Sequence, residues 1–226
     1  MSGPERVALA GLRDVGAAAL GRRIAAAHLV CFPTDTVYGV GGAPTPLVGE
    51  ALVAAKGRDP DKPLQVVFPS LRLLEDRVEL APTLRAACRA LLPGPVTLVV
   101  PYPAGWRFPP PGRGATVAGE VATLGVRVPD WPAAARVMGS LAEPLLASSA
   151  NRSGAPPPAS LDQVDPALLA RCDLVLDAGP LAGVASTVVD LTTYPLTGAW
   201  RVLRSGVWDE HRIAARLAAA GEESRA

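Results

Sequence analysis

The sequence predicts a single α/β domain built on a twisted, mixed, open sheet with flanking helices. Short apolar segments alternate along the chain with longer segments of helical periodicity, and this alternation is typical of α/β proteins. No internal repeat and no change of composition divides the 226 residues. A chain of this length can bury a sizeable core. Because aromatic residues make up only 4% of it, we expect a core of alanine, valine and leucine.

The elements follow in order from this alternation. A helix over 15–28, with Asp14 as its N-cap, precedes a strand over 29–32, and a second helix over 47–56 ends at Gly57. The segment 102–119 is rich in proline and glycine, which predicts a long irregular loop. Further strands are predicted at 64–68, 96–100, 123–128, 145–148, 174–177, 186–191 and 200–203, and further helices at 71–79, 82–92, 132–141, 161–169 and 208–220.

The stretch CFPTDTVYGVGG, residues 31–42, is the centre of the predicted site. Its apolar start is a buried strand, and Thr34, Asp35 and Thr36 place two hydroxyls and a carboxylate just beyond the strand end. The glycines at 39, 41 and 42 predict a tight turn that lets the backbone approach a ligand closely. Open α/β sheets bind ligands at such strand ends.

The distribution of positive charge points to the run KGRDPDKPL, residues 56–64. The chain has 22 basic and 21 acidic residues, but only Lys56 and Lys62 are lysines. Such a balance gives no global attraction to nucleic acid or to a membrane surface, so an anion site must be local. Two lysines six residues apart among twenty arginines indicate a role for the ammonium group. The alternative is a solvated loop with incidental charges.

Several classes of protein are excluded by the motifs. The three cysteines are far apart and form no CxxC pair, which argues against a zinc site and a disulfide framework. There is no P-loop, no GxGxxG, no HExxH and no EF-hand spacing. A Ser-His-Asp triad would require His28 or His211, and both are predicted on helices.

The start of the chain does not read as a secretory signal, because Glu5, Arg6, Arg13 and Asp14 interrupt any apolar stretch. No apolar run reaches membrane-spanning length. We therefore expect a cytoplasmic protein without a membrane partner.

Polar turns follow several of the apolar strands. Ser148, Ser149 and Asn151 follow one strand, Ser186 opens another and Arg204 closes a third. Each turn alone is better explained by ordinary capping, and only the set of turns in one chain favours a site. If the turns converge, they form a cleft lined with hydroxyls and one amide for a small polar substrate, and with cations for a polyphosphate. These cations are Lys56, Arg58, Lys62, Arg127 and Arg204.

These motifs resemble those of the threonylcarbamoyl-AMP synthases, whose domain is called YrdC-like. Between about residues 15 and 206 the family's motifs occur in family order: FPTDTVYG, KGR followed by KPL, PGPVT, GVRVP, SSANRSG, STVVD and LRSG. The resemblance implies a YrdC-like fold with a large, concave, basic cavity. It also implies that L-threonine, bicarbonate and ATP with Mg²⁺ give threonylcarbamoyl-AMP and pyrophosphate. The product would then serve tRNA-modifying threonylcarbamoyl transferase proteins.

The resemblance also implies roles for individual residues. Lys56 and Arg58 would stabilise the developing negative charge, and no residue is assigned as a metal ligand, because the sequence does not give the ligands of the Mg²⁺. Threonine would be bound by Thr36, Arg127, Ser149 and Ser186, and ATP by Arg58, Lys62, Thr123, Asn151 and Arg204, with Lys56 beside them.

The chain departs from the family pattern at three places. Val67 stands where some members have a histidine, and Ala185 replaces an acidic residue. Twenty residues after Gly206 are too few for the second domain of longer members. We therefore expect a YrdC-like domain over 1–206 and a C-terminal helix and tail over 207–226. The proline-rich run 155–159 is then the candidate to cover the nucleotide, either as a mobile segment or as a rigid polyproline turn.

Two other functions remain open from the sequence. One is a related carbamoyl-transfer enzyme of the hydrogenase-maturation type, although the chain lacks the CxxC pairs of such proteins. The other is a module without enzymatic activity that binds double-stranded RNA or tRNA through the basic cavity. A balanced net charge and few aromatic residues argue against the second alternative.

Overall fold

The computed structural model describes residues 3–57, 64–107, 112–116, 119–152 and 154–223. These residues form one mixed, open sheet of eleven strands with helices on its flanks, which confirms the predicted fold class. The strands are β1 (Glu5–Ala8), β2 (Val30–Pro33), β3 (Tyr38–Gly42), β4 (Gln65–Val67), β5 (Val96–Pro101), β6 (Gly112–Thr116), β7 (Gly119–Arg127), β8 (Leu145–Ser149), β9 (Leu174–Asp177), β10 (Thr187–Asp190) and β11 (Arg201–Arg204). The helices are α1 (Ala17–Ala26), α2 (Pro46–Lys56), α3 (Leu71–Arg77), α4 (Pro82–Leu91), α5 (Pro166–Leu169), α6 (Tyr194–Thr197) and α7 (Glu210–Glu223).

The strands lie side by side in the order β1-β9-β2-β3-β8-β4-β7-β5-β10-β11, and β6 pairs with β7. The pairs β1–β9, β2–β9, β4–β7 and β5–β10 are parallel, and the other pairs are antiparallel. Because β4, β7, β5 and β10 are neighbours in the sheet, residues far apart in sequence meet on one of its faces.

Helices cover both faces of one half of the sheet. In β2 the side chains alternate, so that Val30 and Phe32 pack towards α1 while Cys31 packs on the opposite side, in the cluster that includes α2 and α5. In the other half, α3, α4 and α7 cover one face of β5, β7 and β10. This arrangement leaves the second face of that half for the cavity described below.

The segment after Gly206 packs on this same core. Thr187 Oγ1 donates a hydrogen bond to the Trp208 carbonyl (2.6 Å), and the Trp208 backbone N–H donates back to Thr187 Oγ1 (3.0 Å). Ile213 and Leu217 of α7 are buried against α4. The division of the chain at Gly206 stays a prediction. None of the described helices is long and apolar enough to cross a membrane.

Four local predictions were wrong. The glycine-rich segment predicted as a turn is strand β3. The predicted loop 102–119 contains strand β6 and the start of β7, with which β6 pairs, while 108–111 and 117–118 lie outside the described residues. The predicted helix 161–169 is a short 3₁₀ helix followed by α5, because Pro166 lacks the N–H that a continuous helix would need. Asp14 is not the N-cap of α1, which begins at Ala17 after Gly16 and has no side-chain cap. The segment 133–140 is helical as predicted, in the 3₁₀ form. The alternation of apolar and polar residues also did not predict the short strand β1 or the short helix α6.

Strand β3 needs glycine because it passes very close to β8. A Cβ atom on Gly41 would lie 1.8 Å from the carbonyl oxygen of Leu146, whereas one on Gly39 would meet its neighbours at an ordinary 3.4 Å. We expect Gly41→Ala to lower the free energy of unfolding by about 3 kcal/mol or more, since the two strands must separate. Urea denaturation of Gly41→Ala beside the matched control Gly39→Ala tests this. Equal losses in the two variants would contradict the close approach.

Candidate active site

A cavity of about 450 Å³ lies on the uncovered face of the sheet, where β4, β7, β5 and β10 meet the ends of β3 and β8. The alternation of β5 shows how the sequence builds it. Leu98 and Val100 face the helices, whereas Thr97 and Val99 line the cavity. The predicted polar turns therefore converge. Six predicted site residues line the cavity: Thr123, Arg127, Ser149, Asn151, Ser186 and Arg204.

Arg127, at the end of β7, is the buried cation of this cavity. Its side chain is 3% exposed, and Nη2 lies 2.5 Å from an oxygen of Asp35, itself 8% exposed. The same Nη2 donates to Thr36 Oγ1 (2.7 Å) and lies 3.5 Å from Thr34 Oγ1. The backbone N–H of Asp130 donates to the second oxygen of Asp35 (3.2 Å). The TDT turn thus holds the guanidinium in place, while Nε is buried without a hydrogen-bond partner within the described residues.

Thr36 was predicted to bind threonine, and the structure places it behind Arg127. It is fully buried and does not line the cavity. Its hydroxyl also lies 3.1 Å from that of Thr34. Direct contact between Thr36 and a substrate stays a prediction, and the contact that the structure shows is with the guanidinium.

The sequence suggested that Lys56 extends into a solvated cleft, but in the structure this side chain is buried. It ends α2, where Gly57 adopts a left-handed conformation (φ 57°) and stops the helix. The side chain reaches under the end of β8, where Nζ donates to Ser148 Oγ (2.7 Å) and to the Ser149 carbonyl (2.5 Å). Its ammonium thus fixes the backbone from which Ser149 and Asn151 project. Arg58 and Lys62 lie outside the described residues.

The turn after β8 connects the cavity to the proline-rich run. Asn151 Nδ2 donates to the carbonyl of Ala155 (2.5 Å), and Ala155 and Pro157 form part of the cavity wall. The carbonyl of Pro158 accepts from the backbone N–H of Tyr38 (2.9 Å). The run is therefore tied at both ends to β3 and to Asn151, which fits the rigid alternative for this segment.

Ser186 and Arg204 form the opposite wall. Arg204 Nη2 donates to the carbonyl of Ser186 (2.9 Å) and lies 3.2 Å from its hydroxyl. Burial and, to a smaller extent, the charge of Arg127 lower the pKa of Arg204. The smaller contribution is repulsion between two guanidinium charges, and a bound anion would relieve both that repulsion and the cost of burial.

The cavity wall offers cations, hydroxyls and an amide, but no obvious nucleophile. Among the described lining residues there is no histidine, cysteine, aspartate or glutamate. The hydroxyl of Tyr38 is held neutral, because burial raises its pKa to about 12. No group of three potential metal ligands occurs in the described ranges.

Sequence reasoning missed three groups of this site. Asp35 was noted but received no role, although it is the counter-ion of Arg127. Gln65 and Thr97 line the cavity and are hydrogen-bonded to each other at 3.0 Å. A polar glutamine at the start of an otherwise apolar strand was the available signal.

The sequence profile of the Sua5/YciO/YrdC family, described as "Telomere recombination", matches residues 22–206. The chain belongs to this family. A relative from Mycobacterium tuberculosis is 38% identical over 195 residues, which is 84% of either chain. The threonylcarbamoyl-AMP synthase of Xanthomonas campestris is 34% identical over 169 residues, covering 72% of this chain and 84% of that one.

A solved structure adds a ligand to the comparison. The chain is similar to Pyrococcus abyssi Sua5 complexed with L-threonine, with a TM-score of 0.71 and 29% identity over 93% of this chain. It spans about three fifths of that protein, since the match covers 59% of the Sua5 chain. The family and the fold are therefore shown.

Proposed function

We propose that the protein is an L-threonylcarbamoyladenylate synthase, which condenses L-threonine, bicarbonate and ATP to threonylcarbamoyl-AMP and pyrophosphate. The convergence of Arg127 and Arg204 with four hydroxyl and amide side chains in one cavity carries this proposal. The names of its family relatives and the threonine bound by one of them support it. We extend the proposal to delivery of the product to tRNA-modifying transferase proteins, which would complete the modification of tRNA.

The reaction needs positioning more than covalent catalysis. The amine of threonine adds to CO₂ formed from bicarbonate, loses a proton and becomes a carbamate. A carbamate oxygen then attacks the α-phosphorus, and pyrophosphate leaves. Neither step needs a nucleophile from the protein, so the lack of one among the described lining residues is consistent with this chemistry. Fixed cations can supply most of the stabilisation of the charge that develops on phosphate oxygens.

We assign the two substrates to different parts of the cavity. The cluster around Arg127, with Ser149 and Ser186, suits a carboxylate and a hydroxyl and would hold threonine. Thr123, Asn151 and Arg204, together with Arg58 and Lys62, would hold the nucleotide. Lys56 would act by fixing the end of β8, and with Arg58 by stabilising negative charge. Mg²⁺ would be carried by the ATP phosphates, which matches a described cavity wall without carboxylates.

Pyrophosphate release tests the reaction directly. The purified protein with MgATP should release pyrophosphate only when both L-threonine and bicarbonate are present. Release that is independent of threonine, or none at all with all three substrates, would overturn the proposed function. RNA binding with no consumption of ATP would favour the alternative of an RNA-binding module.

Substrate choice gives a second test. L-Valine has nearly the shape of L-threonine but no hydroxyl, and a site built to bind a substrate hydroxyl rejects such an analogue by about 10⁴-fold or more. L-Serine lacks only the methyl group, so we expect a loss of about 10- to 200-fold. The kcat/KM values of the three amino acids check this. Equal values for threonine and valine would show that the hydroxyl contacts are wrongly assigned.

The division of the cavity predicts opposite effects of two neighbouring variants. Asn151→Ala should raise the KM for ATP more than the KM for threonine, and Ser149→Ala should do the reverse, because the two side chains would contact different substrates. Steady-state kinetics with each substrate varied in turn measures both constants. Parallel changes in both variants would mean that the division is wrong.

A further inference from the structure

A chain of hydrogen bonds runs along one wall of the cavity from Gln65 through Thr97 to Ser186. Thr97 Oγ1 donates to Gln65 Oε1 at 3.0 Å, and the hydroxyls of Thr97 and Ser186 are also 3.0 Å apart. Thr97 is 5% and Ser186 2% exposed, so both hydroxyls depend on these partners rather than on bulk water. Gln65, Thr97 and Ser186 all line the cavity.

The number of available hydrogens determines which group donates and which accepts in each of these hydrogen bonds. A hydroxyl has one hydrogen to donate and two lone pairs. The hydrogen of Thr97 goes to Gln65, so the bond between the two hydroxyls must be donated by Ser186. Arg204 Nη2, which is 3.2 Å from Ser186 Oγ, uses one lone pair of that oxygen. Among the described residues, Ser186 therefore has no hydrogen left for a ligand, and its oxygen keeps one lone pair for the cavity.

We propose that Gln65 and Thr97 are positioning residues that fix Ser186 as an acceptor for a neutral hydroxyl group of the substrate. The inference rests on the proposed function, because it concerns the same cavity. A carboxylate cannot donate to Ser186, and an ammonium group would be repelled by the adjacent Arg204. Arg204 Nη2 is held at this position by the carbonyl of Ser186, to which it donates at 2.9 Å.

Two substrate groups have the required chemistry. One is the side-chain hydroxyl of threonine, which agrees with the assignment of Ser186 to the amino acid, and the other is a ribose hydroxyl of ATP. Analogues distinguish them. In 2-amino-3-fluorobutanoic acid fluorine replaces the threonine hydroxyl, and in the 2′-deoxy-2′-fluoro and 3′-deoxy-3′-fluoro analogues of ATP it replaces one ribose hydroxyl. Fluorine cannot donate a hydrogen bond, but it can accept a weak one.

In the variants Thr97→Val and Gln65→Leu, the hydroxyl hydrogen of Ser186 becomes available to a ligand. Valine at position 97 has no oxygen to accept that hydrogen. Without Gln65, Thr97 can donate to Ser186, whose own hydrogen then turns to the cavity. Thr97→Ser keeps the hydroxyl and serves as the matched control. The readout is the ratio of the dissociation constants of analogue and natural substrate, measured by calorimetry, and this ratio needs no turnover. A failure of the proposed reaction would therefore not conceal the result.

For one substrate, the wild type should bind the analogue about 10- to 100-fold more weakly, because a buried acceptor is left unpaired. In Thr97→Val and Gln65→Leu that ratio should fall below about threefold, while Thr97→Ser keeps the wild-type ratio. The substrate whose ratio falls is the one that donates to Ser186. Wild-type ratios in both variants for all analogues would overturn the inference. A fall in Thr97→Ser equal to that in Thr97→Val would overturn it too, since it would indicate a packing effect alone.

Discussion

Arg127→Met is expected to lower stability and activity together. The substitution leaves the buried carboxylate of Asp35 without its counter-ion, and breaking such a pair costs about 3–5 kcal/mol of unfolding free energy. Loss of the guanidinium should also lower kcat/KM for threonine by about 10²- to 10³-fold, because under the proposed assignment the substrate carboxylate would lose a buried charged contact. Urea denaturation and steady-state kinetics measure the two effects.

A double variant separates these two effects. Arg127→Met combined with Asp35→Asn removes both charges, and the amide oxygen introduced at position 35 can still accept from the backbone N–H of Asp130. We expect most of the lost stability to return while activity stays low, because the substrate carboxylate has no cation. Recovery of wild-type kcat/KM in the double variant would mean that Arg127 serves only to neutralise Asp35.

Lys56→Met is expected to have the second large effect. Methionine retains the buried aliphatic stem but lacks the ammonium group, so Ser148 Oγ and the Ser149 carbonyl lose the donor that fixes the end of β8. We expect kcat to fall by about 10²- to 10³-fold, as when a preorganised donor is removed from an active site. The loss of stability should be about 1–3 kcal/mol, since two oxygen acceptors lose hydrogen bonds from a charged donor.

Lys56→Arg provides the comparison for that variant. It keeps the charge, but a planar guanidinium cannot reproduce the compact ammonium contacts, so we expect intermediate activity. Near-normal kcat in Lys56→Met, measured by pyrophosphate release, would remove Lys56 from the catalytic assignment. The same variant with low kcat and unchanged stability would locate its effect in the reaction rather than in the fold.

The sequence was sufficient to predict the places where strands end and polar turns begin. Apolar runs flanked by hydroxyl residues located Ser149, Asn151, Ser186 and Arg204, and all four line the cavity. The prediction that α2 ends at Gly57 was also confirmed. It depends only on local sequence, because the left-handed conformation at a helix end favours glycine.

Features that depend on strand order could not be read from the chain. Asp35 and Arg127 are 92 residues apart, and Thr97 and Ser186 are 89 apart, so their contacts exist only in the folded sheet. Glycine is a weak strand former, which made β3 look like a turn. The close approach of Leu146 requires glycine at position 41, and that contact is set by the pairing of β3 with β8.

The burial of Lys56 was missed for a related reason. A lysine at the end of a helix, beside other charged residues, usually extends into solvent. Here β8 lies over the end of α2 and offers two oxygen acceptors, which make burial of the ammonium group possible. The sequence contains the lysine and the two serines, but it does not show that they lie close together in the folded protein.

In the proposed reaction, this cavity joins carbon from bicarbonate to threonine and to AMP. Mass spectrometry of the product formed from MgATP, L-threonine and ¹³C-bicarbonate tests it most directly. We predict an adenylate that contains threonine and the ¹³C label, formed by the wild type about 10²- to 10³-fold faster than by the Arg127→Met, Asp35→Asn double variant. Free AMP and pyrophosphate without a labelled adenylate, or equal rates of labelled adenylate formation by both proteins, would contradict the proposed function.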